Sequence, residues 1–311
     1  MSTKLVIIGS QGFIGKRLTV SMNPTIFTNY KEAPYLLDLR SPDLKALPLS
    51  TETHVIIAAG CANINECNKN PKKTYAINVT GTLELAKQCR EMGLCPILFS
   101  TDYVFNGEKG GYTESSSTCP INAYGKQKAE LESRIHDVTS GNYLMLRLSK
   151  IYSTFTGDNS LLDEMMHNLT QGKAIRAATD QEFCPLHVDD LVTITQELID
   201  QNITGLINIG GQETLSRYAL ALKVCKALNI STTLVKPITL DELKGSTRPK
   251  KTTLNCKKLY ETITIKTQTL QDSISKLATI YHNKNLFLNE LKHKTAFAKT
   301  QIKSTETGGI S

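Results

Sequence analysis

Lys4-Leu5-Val6-Ile7-Ile8-Gly9-Ser10-Gln11-Gly12-Phe13-Ile14-Gly15 is the stretch that decides the fold. Leu5 to Ile8 lacks polar alternation, the pattern of a strand buried on both faces of a parallel sheet. It runs into glycines spaced G-x-x-G-x-x-G, after which Lys16 to Met22 can open a helix. Strand, glycine turn and helix in that order make a cradle for a dinucleotide. Gly9 allows the tight turn, Gly12 lets backbone amides approach a pyrophosphate, and Gly15 permits close packing of helix on strand.

Working outward, similar apolar runs recur at His54 to Ala59, Pro96 to Ser100, Tyr143 to Leu148 and Leu206 to Ile209. Between two of them, Asn78 to Arg90 places Val79, Leu83 and Ala86 at helical spacing. Strands alternating with helices predict an α/β fold, a Rossmann-type doubly wound parallel sheet. Residues 1–150 are expected to form the dinucleotide-binding domain. From Ile151 the strand rhythm becomes irregular, so 151–282 reads as a smaller α/β substrate-binding lobe, partly interleaved with the first. Residues 283–311 read as a basic, flexible tail in which Leu286, Phe287, Leu288 and Leu291 form one short amphipathic segment.

The 311 residues are 40% hydrophobic, enough for a sizeable core, and contain no Trp. Their apolar runs fall short of the ~18 residues a membrane span needs. The first of them meets the glycine turn without a cleavage site, so a cytoplasmic location is expected. Eight cysteines without a C-x-x-C pair or clustered His read as free thiols and give no metal site. Of the net charge of +7, five Lys against two Glu in 283–311 contribute +3. The remaining +4 suits anionic nucleotides. Basic residues are scattered without aromatic platforms, so nucleic acid is not expected as a partner.

An acid at the tip of the second strand would bind the free ribose hydroxyls of NAD. If Thr25 to Thr28 is that strand, Asn29, Tyr30 and Lys31 occupy its tip, which leans toward NADP with NAD as the alternative. Asp38 and Leu39 come later and are expected near adenine. Ala58, Ala59 and Gly60 end the His54 strand with the small residues that a cofactor lying across a sheet edge requires.

Tyr124 has Lys128 four residues later, one helical turn away on the same face. A phenol near pKa 10 is a poor acid or base at neutral pH, and a nearby ammonium is expected to lower it. Thr101 or Ser100, ending the Pro96 strand, would supply a hydroxyl to orient a carbonyl. His187, followed by Asp189 and Asp190, reads as a loop returning to the sheet, with the aspartates capping the next helix.

The run Ser100-Thr101-Asp102-Tyr103-Val104-Phe105-Asn106-Gly107, followed by Tyr112, Glu114, Pro120, Asn122, Tyr124, Gly125 and Lys128, resembles the dTDP-4-dehydrorhamnose reductases and related sugar-nucleotide reductases. Leu146-Arg147-Leu148-Ser149, Asp180-Gln181 with Pro185, and Arg248-Pro249 extend the likeness over roughly Lys4 to Leu259, and the glycine spacing is that of extended short-chain dehydrogenase/reductases. The resemblance implies cofactor contacts from Gly9, Gln11, Gly12, Phe13, Ile14, Gly15, Asp38, Leu39, Ala58, Ala59, Gly60 and Phe99. It implies that Tyr124 is the proton donor, that Lys128 holds the nicotinamide ribose, and that Thr101, Asp102, Asn122 and Lys150 face the sugar. A homodimer is implied; magnesium occurs in the family, but no ligands for it can be placed.

Two departures stand out. Lys150 replaces an aromatic residue that faces the sugar, usually Trp, and Ser216-Arg217-Tyr218 differs from the family's Trp-Tyr pair. The leading expectation is NAD(P)H-dependent reduction of a nucleotide-linked 4-keto-6-deoxy sugar. The alternatives on this scaffold are a non-catalytic NADP-binding regulatory subunit, as in methionine adenosyltransferase, and an NAD-recycling epimerase or dehydratase.

Overall fold

Val6, Ile7 and Ile8 expose no surface, because the strand they form is covered on both faces. Leu5 and Ile7 point into one core cluster and Val6 and Ile8 into another, as the twofold period of a strand requires. The computed structural model describes residues 4–31, 33–49, 54–243, 245 and 247–283.

The first half of the chain runs β1 (Leu5–Ile8), α1 (Phe13–Met22), β2 (Ile26–Asn29), β3 (Tyr35–Leu36), β4 (His54–Ile57), α2 (Ile64–Lys69) and α3 (Pro71–Tyr75). A π-helical turn (Ala76–Gly81) then leads to α4 (Thr82–Glu91), β5 (Cys95–Thr101), α5 (Ala123–Thr139) and β6 (Leu144–Leu148). Beyond it come β7 (Ile151–Tyr152), α6 (Leu161–Thr170), β8 (Ile175–Ala178), β9 (Glu182–Phe183), β10 (Leu186–His187) and α7 (Val188–Asp200). β11 (Gly205–Ile209), β12 (Leu215–Ser216), α8 (Arg217–Leu228), β13 (Val235–Ile238) and α9 (Lys257–Thr262) follow, and residues 270–283 are helical.

The central sheet is parallel and ordered β11-β6-β5-β4-β1-β2-β3. The chain winds outward in both directions from the neighbours β1 and β4, which makes their C-terminal ends a topological switch point. Ligands of doubly wound sheets bind there, and both the glycine turn and Ala58 to Gly60 leave the sheet at that point. α4 and α5 cover one face, α1 and α7 pack against each other, and β11 closes the edge beside β6. A further core cluster, including Leu162, Met166, Leu220 and Val224, is built from α6, α8 and the helix over 270–283.

Each apolar run expected as a strand is one. The expected helix over Asn78 to Arg90 is helical but starts earlier and passes through the π turn. There Gly81 lies so close to the Leu39 carbonyl that a Cβ would stand 1.6 Å from its oxygen. The aspartates after His187 do not cap α7. His187 does, its Nδ1 accepting from the Asp189 amide at 3.1 Å, while Asp189 and Asp190 occupy the first turn, where carboxylates complement the helix dipole. The eight cysteines are free. The tail segment with Leu286 to Leu291 lies outside the described residues.

Candidate active site

β1 delivers the chain to Gly9 in a left-handed conformation, φ +91°, where a Cβ would meet the Ala59 amide nitrogen at 2.5 Å. A Cβ on Gly15 would stand 2.0 Å from the Gly9 carbonyl oxygen, so the helix is seated hard on the turn. Gly12 is different. A Cβ there would approach nothing closer than 3.5 Å, and Gly12 caps α1 without a side-chain hydrogen bond. The first amides of α1 are thus left for an anion.

Beside this turn lies a cleft of about 860 Å³, lined by Gly9, Gln11 and Gly12 at one end and by Tyr30, Lys31, Asp38, Leu39 and Arg40 at the other. Asp38 accepts both the backbone amide and the guanidinium of Arg40, which holds its carboxyl below the ordinary range. Lys31 stands over the Tyr30 ring, 5.3 Å from its centroid.

A second cleft, about 380 Å³, shares the wall Ala58, Ala59, Gly60 and Cys61 with the first, so the two adjoin. It is lined by Thr101, Asp102, Tyr124, Lys128 and Lys150, together with Phe99 and Ile14. Gly125 explains how the reactive corner closes: a Cβ there would sit 2.1 Å from the Tyr103 carbonyl oxygen. α5 therefore packs directly on the turn that follows β5, bringing Tyr124 to Thr101 and Asp102.

Lys128 Nζ donates to the Phe99 carbonyl at 2.9 Å. Burial pushes its ammonium down to about 8, opposed by Glu132. The Tyr124 phenol moves opposite to the sequence expectation. Burial pushes it up, Asp102 adds to this, and its hydrogen bond with Thr101 opposes. Tyr124 thus holds its proton at neutral pH, which suits a donor. Asp102, 5% exposed, is raised to about 6, mainly by burial, against hydrogen bonds from Thr252 and Thr101.

Most residues singled out from the sequence meet along this double cleft. Gly15 serves packing, and Phe13, 40% exposed, does not line either cleft. Asn122 is also outside the lining: its Oδ1 accepts from the Gly125 amide at 2.8 Å, capping α5, and its Nδ2 donates to the Thr247 carbonyl at 3.1 Å.

Sequence reasoning missed Asn78. Its buried side chain accepts from the Cys61 amide at 2.7 Å and donates to the Cys61 carbonyl at 2.9 Å, fixing the shared wall. Nothing in a helical stretch marks one Asn as buried. Arg40 and Arg248 were missed as lining residues too, though Arg248 lies in the resembling motif. Among the described residues, no group of three or more His, Cys, Asp or Glu is placed to hold a metal ion, so magnesium gains no support. No helix there is long and apolar enough to cross a membrane.

The chain is 29% identical to the probable low-salt glycan biosynthesis reductase of Haloferax volcanii over 233 residues, 73% of this chain and 77% of that one. It is 28% identical to mouse methionine adenosyltransferase 2 subunit beta over 278 residues, 83% and 82% of the two chains. In fold it matches the dTDP-4-dehydrorhamnose reductase of Bacillus anthracis, solved with NADP, at a TM-score of 0.77 and 22% identity, covering 89% of this chain and 99% of that one. With the family model matching residues 3–283, the chain belongs to the family of the RmlD substrate binding domain.

Proposed function

We propose that the protein reduces the keto group of a nucleotide-linked 4-keto-6-deoxy sugar with NADPH, or with NADH as the weaker donor. The observation that carries this reading is the meeting of Thr101, Tyr124 and Lys128 in one cleft, which adjoins the cleft at the glycine turn across a shared wall.

The residues present fit a dinucleotide. Gly12 leaves the space a pyrophosphate would fill, the amides of α1 face it, and Ala58 to Gly60 offer no bulk to obstruct a nicotinamide. A bound nicotinamide supplies the hydride. Lys128 presents its ammonium to the ribose beside that ring while anchored on the Phe99 carbonyl. Thr101 orients the keto oxygen, and Tyr124 gives its proton to the alkoxide as charge develops there.

Consumption of NADPH on adding a dTDP-4-keto-6-deoxy sugar tests this, with Tyr124→Phe as control. The relative among methionine adenosyltransferase subunits keeps a regulatory reading in view. Tight NADP binding with no turnover on any keto sugar would favour that reading, as would co-purification with a partner enzyme.

A further inference from the structure

The smaller cleft holds more positive charge than a reductase of neutral sugars needs. Lys150, Arg217 and Arg248 all line it, and Asp102 is its one lining carboxylate. Asp102 accepts hydrogen bonds from Thr101 and Thr252, and it and Lys150 favour each other's charged forms, so one carboxylate, itself raised to about 6, faces all the lining cations. Glu164 acts on Lys150 and Arg217 from outside the lining. Among the described residues none of the three cations forms an ion pair. Arg217 is oriented by neutral groups, donating from Nε to Gln181 Oε1 at 2.7 Å and lying 5.7 Å from the Phe183 ring centroid. Burial pushes both Lys150 and Arg217 downward, helped by repulsion from Arg217 and Arg248 on Lys150 and from Arg248 on Arg217. Like charges gathered in a cavity are costly until an anion joins them.

A sugar nucleotide brings a diphosphate, which answers two of these cations. The position of Lys150 separates the third. Thr101 is in register with Leu148 across β5 and β6, so Lys150 follows only two residues beyond Thr101's partner. It lies close enough to Asp102 for the two to act on each other's charge. Lys150 and Arg217, 67 positions apart in the chain, are also the two sites where the sequence departs from the family it resembles, and both departures introduce a cation into the same cleft.

We infer that the sugar accepted here carries its own negative charge, a C6 carboxylate as in a nucleotide-linked 4-keto uronate, held by Lys150 together with Arg217. This rests on the reductase reading, keeps its nucleotide-linked 4-keto sugar, and replaces the 6-deoxy carbon with a carboxylate.

Calorimetry on the NADP-loaded protein with UDP, UDP-glucose and UDP-glucuronate, and with the dTDP counterparts, tests it without turnover. The glucuronate is expected to bind ~10-fold or more tightly than the glucose compound, the difference one charge-assisted contact makes. Lys150→Met should erase that difference while leaving UDP and UDP-glucose affinity within about twofold. Equal binding of the two sugars, or an equal loss for all three ligands in Lys150→Met, overturns the carboxylate and makes Lys150 a diphosphate contact. That outcome leaves reduction of neutral keto sugars standing. Failure of every sugar nucleotide to bind overturns both readings, and selective glucuronate binding without reduction of any keto sugar removes only the catalytic one.

Discussion

Arg147 Nη2 lies 2.6 Å from Glu132 Oε2, in an ion pair whose side chains are 2% and 8% exposed. Arg147 also donates from Nε to Glu132 Oε1 at 3.0 Å and from Nη1 to Asn208 Oδ1 at 3.1 Å. Glu132 follows Lys128 by one turn of α5, as Lys128 follows Tyr124. The pair therefore ties α5, which carries Tyr124 and Lys128, to β6. Removing one partner strands the other charge, so Glu132→Ala is expected to lose ~3–5 kcal/mol in urea unfolding. The double variant Glu132→Gln/Arg147→Met should lose clearly less than the two single changes combined; additivity would show that the pair is not coupled.

Tyr124→Phe removes the donated proton while keeping the ring. Turnover of a keto sugar is expected to fall ~100-fold or more, with the NADP dissociation constant changed less than twofold. Wild-type turnover in this variant would end the assignment of Tyr124.

Lys128 is charged below its value of about 8 and neutral above it. kcat/KM is therefore expected to fall as pH rises through about 8. Lys128→Met should be much slower and lack this limb, and a limb that persists there would belong to another group.

Asp102 sits at about 6 in the fold against an ordinary 3.8. Between these values the folded chain binds more protons than the unfolded one, so stability declines as pH rises through the window, and the penalty is complete above it. Asp102→Asn should consequently unfold at higher urea at pH 7, by about 1–3 kcal/mol. The gain should vanish by about pH 4; a constant gain at both pH values would trace it to packing instead.

With Lys31 and Arg40 lining the larger cleft and Asn29 at the tip of β2, NADPH should be preferred over NADH. Lys31→Ala is expected to raise the KM for NADPH by ~5-fold, about 1 kcal/mol for an exposed charge contact, and that for NADH by less than twofold. Parallel increases would place Lys31 elsewhere than at a ribose phosphate.

The parallel sheet was legible because double-sided burial removes polar alternation, as in Val6 to Ile8 and Val55 to Ile57. The edge strand Tyr35–Leu36 was not, since its two exposed residues make no run. The helix over 270–283 carries Leu270, Ile274, Leu277, Ala278 and Tyr281 at helical spacing, so its period is present in the sequence although the sequence reading did not name it. Tyr124 and Lys128 were readable from spacing, whereas the direction of Tyr124's shift was not. It depends on how much protein surrounds the phenol, and spacing carries no measure of that. Asn78 and Arg40 escaped for the same reason, because their parts are set by segments brought to them from elsewhere in the chain.

Ala58, Ala59, Gly60 and Cys61 face both clefts at once, and Asn78 pins them from behind. Under the proposed function a change in that wall would fall on cofactor and sugar together, so evolutionary drift toward a new sugar would have little room there. The opposite side, where Lys150 and Arg217 stand, carries no such double duty. On that reading new substrate preferences would arise on that side and leave the proposed cofactor cradle undisturbed.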